Sequence, residues 1–136
     1  MPAIKSVLIN IDVEDLEKAA DFYTAAFHLR RGRHLGPQVL ELTGAGLHFY
    51  LLQKESGSSA SSMTPDRRRY DRHWTPVHLD FVVDSIEESL AQFLSAGGKI
   101  ESPTRDEKWG RIAQGSDPFG NGICLIQFLG RGYDEA

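Results

Sequence analysis

The chain is poor in cysteine: Cys124 stands alone among 136 residues. No disulfide can form within it, so the fold has to be held by its own core, and a single thiol fits a reducing compartment. A basic surplus is also missing. The formal net charge is -4, which works against nonspecific nucleic-acid binding, because that binding depends on clustered Lys and Arg neutralising phosphates. Long apolar runs are absent as well, and no stretch approaches the roughly 20 residues of a membrane-spanning helix. The opening Met1-Pro2-Ala3-Ile4-Lys5-Ser6 has neither the apolar centre nor the small-residue cleavage site of a secretory leader. The expectation is a cytoplasmic protein with no nucleic-acid and no membrane partner. One local exception to the acidic balance is Arg67-Arg68-Arg69 with Arg72, which reads either as a solvated loop face or as a seat for a small anion.

What is present is ordinary globular composition, with 40% apolar and 25% charged residues in a length close to one domain. Val7 to Val13 mixes β-branched with polar residues and reads as a strand. Asp15 can cap a helix running to about Phe27, since Leu16, Ala19, Ala20, Tyr23, Ala26 and Phe27 recur on one side. Glycines then divide three strand-like segments near Arg30 to His34, Val39 to Thr43 and Leu47 to Gln53. From Lys54 to Pro76 a Ser, Gly, Asp and Arg-rich stretch without apolar period reads as a partly mobile connector. Its tail, Tyr70 to Trp74, is placed to fold over a site.

The pattern then restarts. Val77 to Val83 repeats the strand, Ser85-Ile86-Glu87-Glu88 opens a second helix, and Gly97-Gly98 stops it. Strands near Lys99 to Ser102, Gly110 to Gln114 and Gly122 to Phe128 follow, with Asp117 to Gly122 as the turn into the last. The reading is one domain of two βαβββ modules: about 4-53, a connector at about 54-76, about 77-129, and a polar tail at 130-136 that either frays or packs across a cavity mouth or a subunit partner. In the repeat, Leu8 falls opposite His78, Asp15 opposite Asp84, and Gly46-Leu47-His48 opposite Gly122-Ile123-Cys124. Halves too small to bury their own sheets are expected to pair or to exchange between subunits.

Candidate chemistry is sparse. His78 on an apolar strand serves either as a packed imidazole or as a cavity group. Cys124 reads first as a small core residue. Glu41 alternates with apolar residues and is expected to face solvent, with a cavity-facing base as the alternative; Asp12 and Asp80 share that ambiguity. Phe49, Tyr50, Tyr70, Trp74 and Trp109 are core aromatics or pocket walls.

Three segments together resemble the vicinal oxygen chelate proteins, the glyoxalase/bleomycin-resistance/dioxygenase group. They are Val13-Glu14-Asp15-Leu16-Glu17-Lys18-Ala19-Ala20-Asp21-Phe22-Tyr23, Val77-His78-Leu79-Asp80-Phe81-Val82-Val83-Asp84 and Asp117-Pro118-Phe119-Gly120-Asn121-Gly122. The resemblance implies an α+β fold in which two βαβββ modules form cupped mixed sheets around a small-molecule cavity, commonly in a homodimer. It also implies a divalent metal held by His, Glu or Gln of the first and fourth strands, or, in bleomycin-resistance-like proteins, a metal-free cavity. Carried over, the first-strand positions are Leu8 and His78; the fourth-strand positions are His48, or Tyr50 if the register slips by two, and Cys124. Only His78 keeps the pattern. The expectation is therefore a small-organic-molecule-binding protein with Leu8, His48, Tyr50, His78 and Cys124 around the cavity, no catalytic residue assigned and no metal. The alternative is a lyase or dioxygenase using zinc on His48, His78 and Cys124. A pure interaction module is the third class.

Overall fold

The fold is described from a computed structural model covering residues 3–136. Met1 and Pro2, part of the opening segment weighed above as a leader, lie outside the described residues. Two mixed sheets account for the architecture. The first contains β1 (Ile9–Val13), β2 (Arg30–His34), β3 (Val39–Thr43) and β4 (Phe49–Gln53), in the order β1-β4-β3-β2. The second contains β5 (Leu79–Val82), β6 (Lys99–Ile100), β7 (Arg105–Glu107), β8 (Gly110–Ser116) and β9 (Gly122–Phe128), in the order β5-β9-β8-β6 with β7 also on β8. In each, the first strand runs parallel to the last, and the crossover between first and second strands is a helix, α1 (Leu16–Phe27) or α2 (Ile86–Ser95).

Both helices start by the same device. Asp15 accepts from the Lys18 amide and Ser85 from the Glu88 amide, an N-cap worth about 1 kcal/mol. The next free amides, of Leu16 and Ile86, donate to the Oε1 atoms of Gln53 and Gln127 on the last strand of the same module. A long-range side chain thus satisfies an amide that the helix leaves unpaired. The repeat therefore sets Asp15 against Ser85, correcting the match to Asp84: the cap, and not the acidic type, is what recurs.

The helices pack on each other and give the modules one core. Phe22 meets Phe93 edge to face with ring centroids 5.6 Å apart, and Phe27 stacks on Phe81 at 3.9 Å. Leu40, Leu42, Leu51, Val13, Ile86 and Leu125 are fully buried in the same contiguous cluster. A polar tie crosses the join: the Tyr23 hydroxyl donates to Asp117 Oδ2 at 2.6 Å, while Asp117 also accepts from the Phe119 and Asn121 amides and from Asn121 Nδ2. Burial and the neighbouring carboxylate push the Tyr23 phenol well above its ordinary value, so it stays a donor.

Several boundaries differ from expectation. The fourth strand begins at Phe49, because Gly44 to Leu47 form the turn before it, and the strand after α2 stops at Ile100. Arg105–Glu107 adds an unforeseen strand whose three residues are all charged, leaving no apolar alternation to read. The tail closes as a 3-10 turn over Gly132–Glu135, with Tyr133 packed on Trp109 and Phe128 at 5.2 and 4.7 Å. The connector is tied to both modules: Arg68 Nε donates to Asp12 of the first at 2.7 Å and His73 Nε2 meets Asn121 Oδ1 of the second at 2.9 Å, while the Tyr70 hydroxyl donates to the Lys54 carbonyl at the connector's own start. Gly120, at φ 81°, lets this strap pass, since a Cβ there would lie 2.0 Å from the Asp71 carbonyl oxygen. No helix among the described residues is long and apolar enough to cross a membrane.

Replacing Tyr23 with Phe removes one of four donors from buried Asp117. The expected cost is about 1–3 kcal/mol, read as a lower urea midpoint at unchanged slope. A midpoint equal to wild type would show that the tie between modules adds nothing to stability.

Candidate functional site

Strand alternation sends Ile9, Ile11 and Val13 toward the helices and Asn10 and Asp12 to the opposite face. Register then places equivalent residues in equivalent rows. Asn10, Tyr50 and Glu41 stand side by side across the first sheet, and Asp80, Cys124 and Gln114 across the second. Tyr50 is therefore the counterpart of Cys124, and His48 that of Gly122. The register thus sets Tyr50, and not His48, in the row equivalent to Cys124.

On the first sheet the helix-remote face gathers around Glu41. Its carboxylate accepts from Arg33 Nε at 3.2 Å, Arg33 Nη2 at 3.0 Å, the Tyr50 hydroxyl at 3.2 Å and His48 Nδ1 at 3.2 Å. A carboxylate only accepts, so His48 carries its proton on Nδ1, and Nε2 has no partner among the described residues. The Arg33 and His48 hydrogen bonds, with Tyr50 behind them, hold the Glu41 carboxyl down to about 2. Glu41 is only 5% exposed, which corrects its expected solvent-facing position. The cause is tertiary. The irregular β2 register between Arg31 and His34 brings Arg33 over it, and Gly32 leaves the room, since a Cβ there would lie 2.7 Å from Glu41 Oε1.

On the second sheet His78 Nδ1 lies 3.1 Å from Asp80 Oδ1, and one ligand atom each of His78, Asp80 and Cys124 fall within 4.8 Å of one another. Burial, with the Asp80 charge and hydrogen bond beside it, pushes the Cys124 thiol up to about 11. The thiol is therefore neutral at physiological pH and a poor nucleophile. His48 is not a member of this group; Asp80 takes the place foreseen for it, and alternation along β5 was the only sequence signal for that residue. Leu8 and His78 do share a cleft. It has a volume of about 1160 Å³, lies between β1 and the ends of β5 and β9, and is walled by Pro65 to Thr75 of the connector. His48, Tyr50 and Cys124 do not line it.

The second sheet offers one imidazole, one carboxylate and a thiol, and Leu8 offers nothing; magnesium and manganese prefer oxygen-rich or mixed oxygen/imidazole sites, so the group supplies two donors of the kind they take, while a borderline-soft ion suits all three. An ion taken up by the thiol has to displace its proton.

Two repeated modules, each a helix-crossed mixed sheet and the second carrying the extra strand β7, with helices packed on one side and polar rows on the other, define an α+β fold class. The glyoxalase-like domain model matches residues 8–126, and the chain belongs to that family. Solved structures agree on the fold. The chain is similar to the fosfomycin resistance protein FosX of Listeria monocytogenes (20% identity, TM-score 0.69, covering 95% of this chain and 96% of that one). It is similar to a lactoylglutathione lyase of Agrobacterium tumefaciens (19% identity, TM-score 0.64, 93% and 95%). It also resembles a variant of the Listeria protein complexed with Mn(II) and 1S,2S-dihydroxypropylphosphonic acid (20% identity, TM-score 0.68, 91% and 90%). No curated protein matches the sequence.

The Glu41 cluster generates an acid-range prediction. Its carboxyl is lowered from an ordinary 4.5 to about 2, so the stability it contributes is fully present above pH 4.5 and is lost as pH falls through 2. The difference in urea midpoint between wild type and Glu41→Gln is expected to be constant from pH 7 to 5 and to shrink toward pH 2. A pH-independent difference would mean that the charge of Glu41 is not what stabilises the cluster.

Proposed function

We propose that this protein binds a small organic molecule against the helix-remote sheet faces and does so without a hard divalent metal such as the Mn(II) with which the FosX variant is complexed. The observation that carries the reading is the donor set at the family's metal position, where Leu8 stands in place of a His, Glu or Gln ligand and the Cys124 thiol in place of the usual carboxylate. The cytoplasm is the compartment proposed, on the lone cysteine.

A homodimer belongs to the same proposal. β1 and β5 are the edge strands of their sheets, each paired on one side only. Beside them Val7, Leu8, Trp74, Val77 and Val82 are 58%, 58%, 77%, 80% and 61% exposed. Unpaired edges flanked by apolar side chains favour association with a second copy. Pairing β1 of one copy with β5 of the other joins the Glu41 face to the His78 face around one cavity.

A second reading is favoured by the close approach of His78, Asp80 and Cys124: a zinc-dependent lyase or dioxygenase, with Asp80 replacing His48 in the ligand set. Dialysis against equimolar manganese or zinc followed by elemental analysis separates the two. The metal-free reading expects neither ion to be retained, and organic ligands to raise Tm. Stoichiometric manganese would overturn both readings of the site, whereas zinc retained by wild type and lost in His78→Ala and Cys124→Ser would establish the second. Sedimentation at micromolar protein is expected to give a dimer; a monomer at every concentration would rule out closure between copies.

A further inference from the structure

Of the two carboxylate–imidazole pairs, the one on the first sheet is the more completely built. Asp80 is partly exposed and shared with the Cys124 thiol. Glu41 is almost fully buried and held by Arg33, Tyr50 and His48 together. Each of those three donors reaches the same oxygen, Oε2, so the guanidinium and the imidazole are anchored side by side. Their unused atoms point outward: Arg33 Nη1 and His48 Nε2 have no protein partner among the described residues, and both side chains are more than half exposed.

From this geometry we infer a metal-independent proton-transfer site on the first sheet, in which His48 Nε2 is the base, Glu41 its positioning residue, and Arg33 the cation that holds the anionic end of a 2-oxo carboxylate. The inference rests on the reading that these sheet faces line the ligand cavity, and it adds chemistry to binding. Three features define the assignment. The carboxylate fixes the Nδ1–H tautomer, which leaves the Nε2 lone pair free. Its negative charge balances the imidazolium formed when Nε2 takes a proton. Arg33 Nη1 can donate to a carboxylate oxygen of the ligand while Nε and Nη2 go on donating to Glu41. Glu41 itself is excluded as the base, since all its donors bind the charged form. The charged or titratable groups facing the imidazole are Glu41 from β3, Tyr50 from β4 and Arg33 from β2.

The step is a proton exchange. Nε2 removes a proton from the carbon next to the keto group; the C–H electron pair becomes the C=C bond and the carbonyl π pair moves to oxygen, giving an enolate. The imidazolium trades its proton with solvent and returns one to carbon, so nothing is oxidised and no co-reactant is consumed.

Pyruvate in deuterium oxide is the probe, with loss of its methyl proton signal followed by NMR. Wild type is expected to accelerate exchange over buffer, and His48→Gln to lose about 100-fold of that acceleration. Glu41→Gln, which can still accept from Nδ1 but carries no charge, is expected to keep the tautomer and lose part of the rate. In 15N-labelled protein the His48 nitrogens report the tautomer directly: Nδ1–H in wild type and Glu41→Gln, and a mixture in Glu41→Ala. Exchange no faster than buffer, exchange unaffected by His48→Gln, or an Nε2–H tautomer in wild type would each overturn the inference. Ligand stabilisation of wild type and of His48→Gln is measured in parallel. Stabilisation without exchange defeats the proton-transfer site alone, and exchange without any stabilising ligand defeats the binding reading alone.

Discussion

The two helices pack on each other through Phe22, Phe27 and Phe93, and most of the structure depends on that contact. Phe22 against Phe93 and Phe27 against Phe81 merge what would be two undersized cores into one. Halves of about fifty residues are marginal when folded alone, because too little of their surface is buried. Joining them on the helix side leaves the opposite sheet faces free of any packing duty. Those faces are where polar residues are gathered.

A shared core still permits the two halves to slide unless something directional crosses the join. The Tyr23 to Asp117 hydrogen bond supplies this, linking the middle of α1 to the turn that opens β9. The same turn receives the connector through Asn121 and Gly120, so one buried carboxylate organises the last strand, the strap and the opposing helix. Cys124 and His78 owe their relative positions to this corner, since β9 carries one and pairs with the strand that follows the other.

Polar chemistry on the two faces has diverged although the backbone repeats. Glu41 and Gln114 occupy equivalent rows, as do Tyr50 and Cys124, and Leu8 and His78. The first sheet uses its carboxylate as a hub under a guanidinium and an imidazole. The second uses Asp80 beside a thiol that burial keeps neutral. Relatives at 17–20% identity share the fold over nearly the whole chain, and a shared fold leaves the chemistry to these side chains.

The sequence by itself determined the βαβββ repeat, both helices and the N-caps at Asp15 and Ser85, because amphipathic period and capping are local properties carried by neighbouring residues. It also sufficed to place His78 and Leu8 at equivalent first-strand positions. Register and burial were decided only in three dimensions. The choice of Tyr50 over His48 as the partner of Cys124 rests on which strand atoms pair, and a shift of one or two residues leaves composition unchanged. Glu41 reads as solvent-facing from alternation alone; Arg33, eight residues away, covers it through an irregular strand pairing that no local pattern records. Asp80 joined the His78 and Cys124 group for the same reason: proximity across a sheet is set by hydrogen-bonded register between segments some forty residues apart, and not by spacing along the chain.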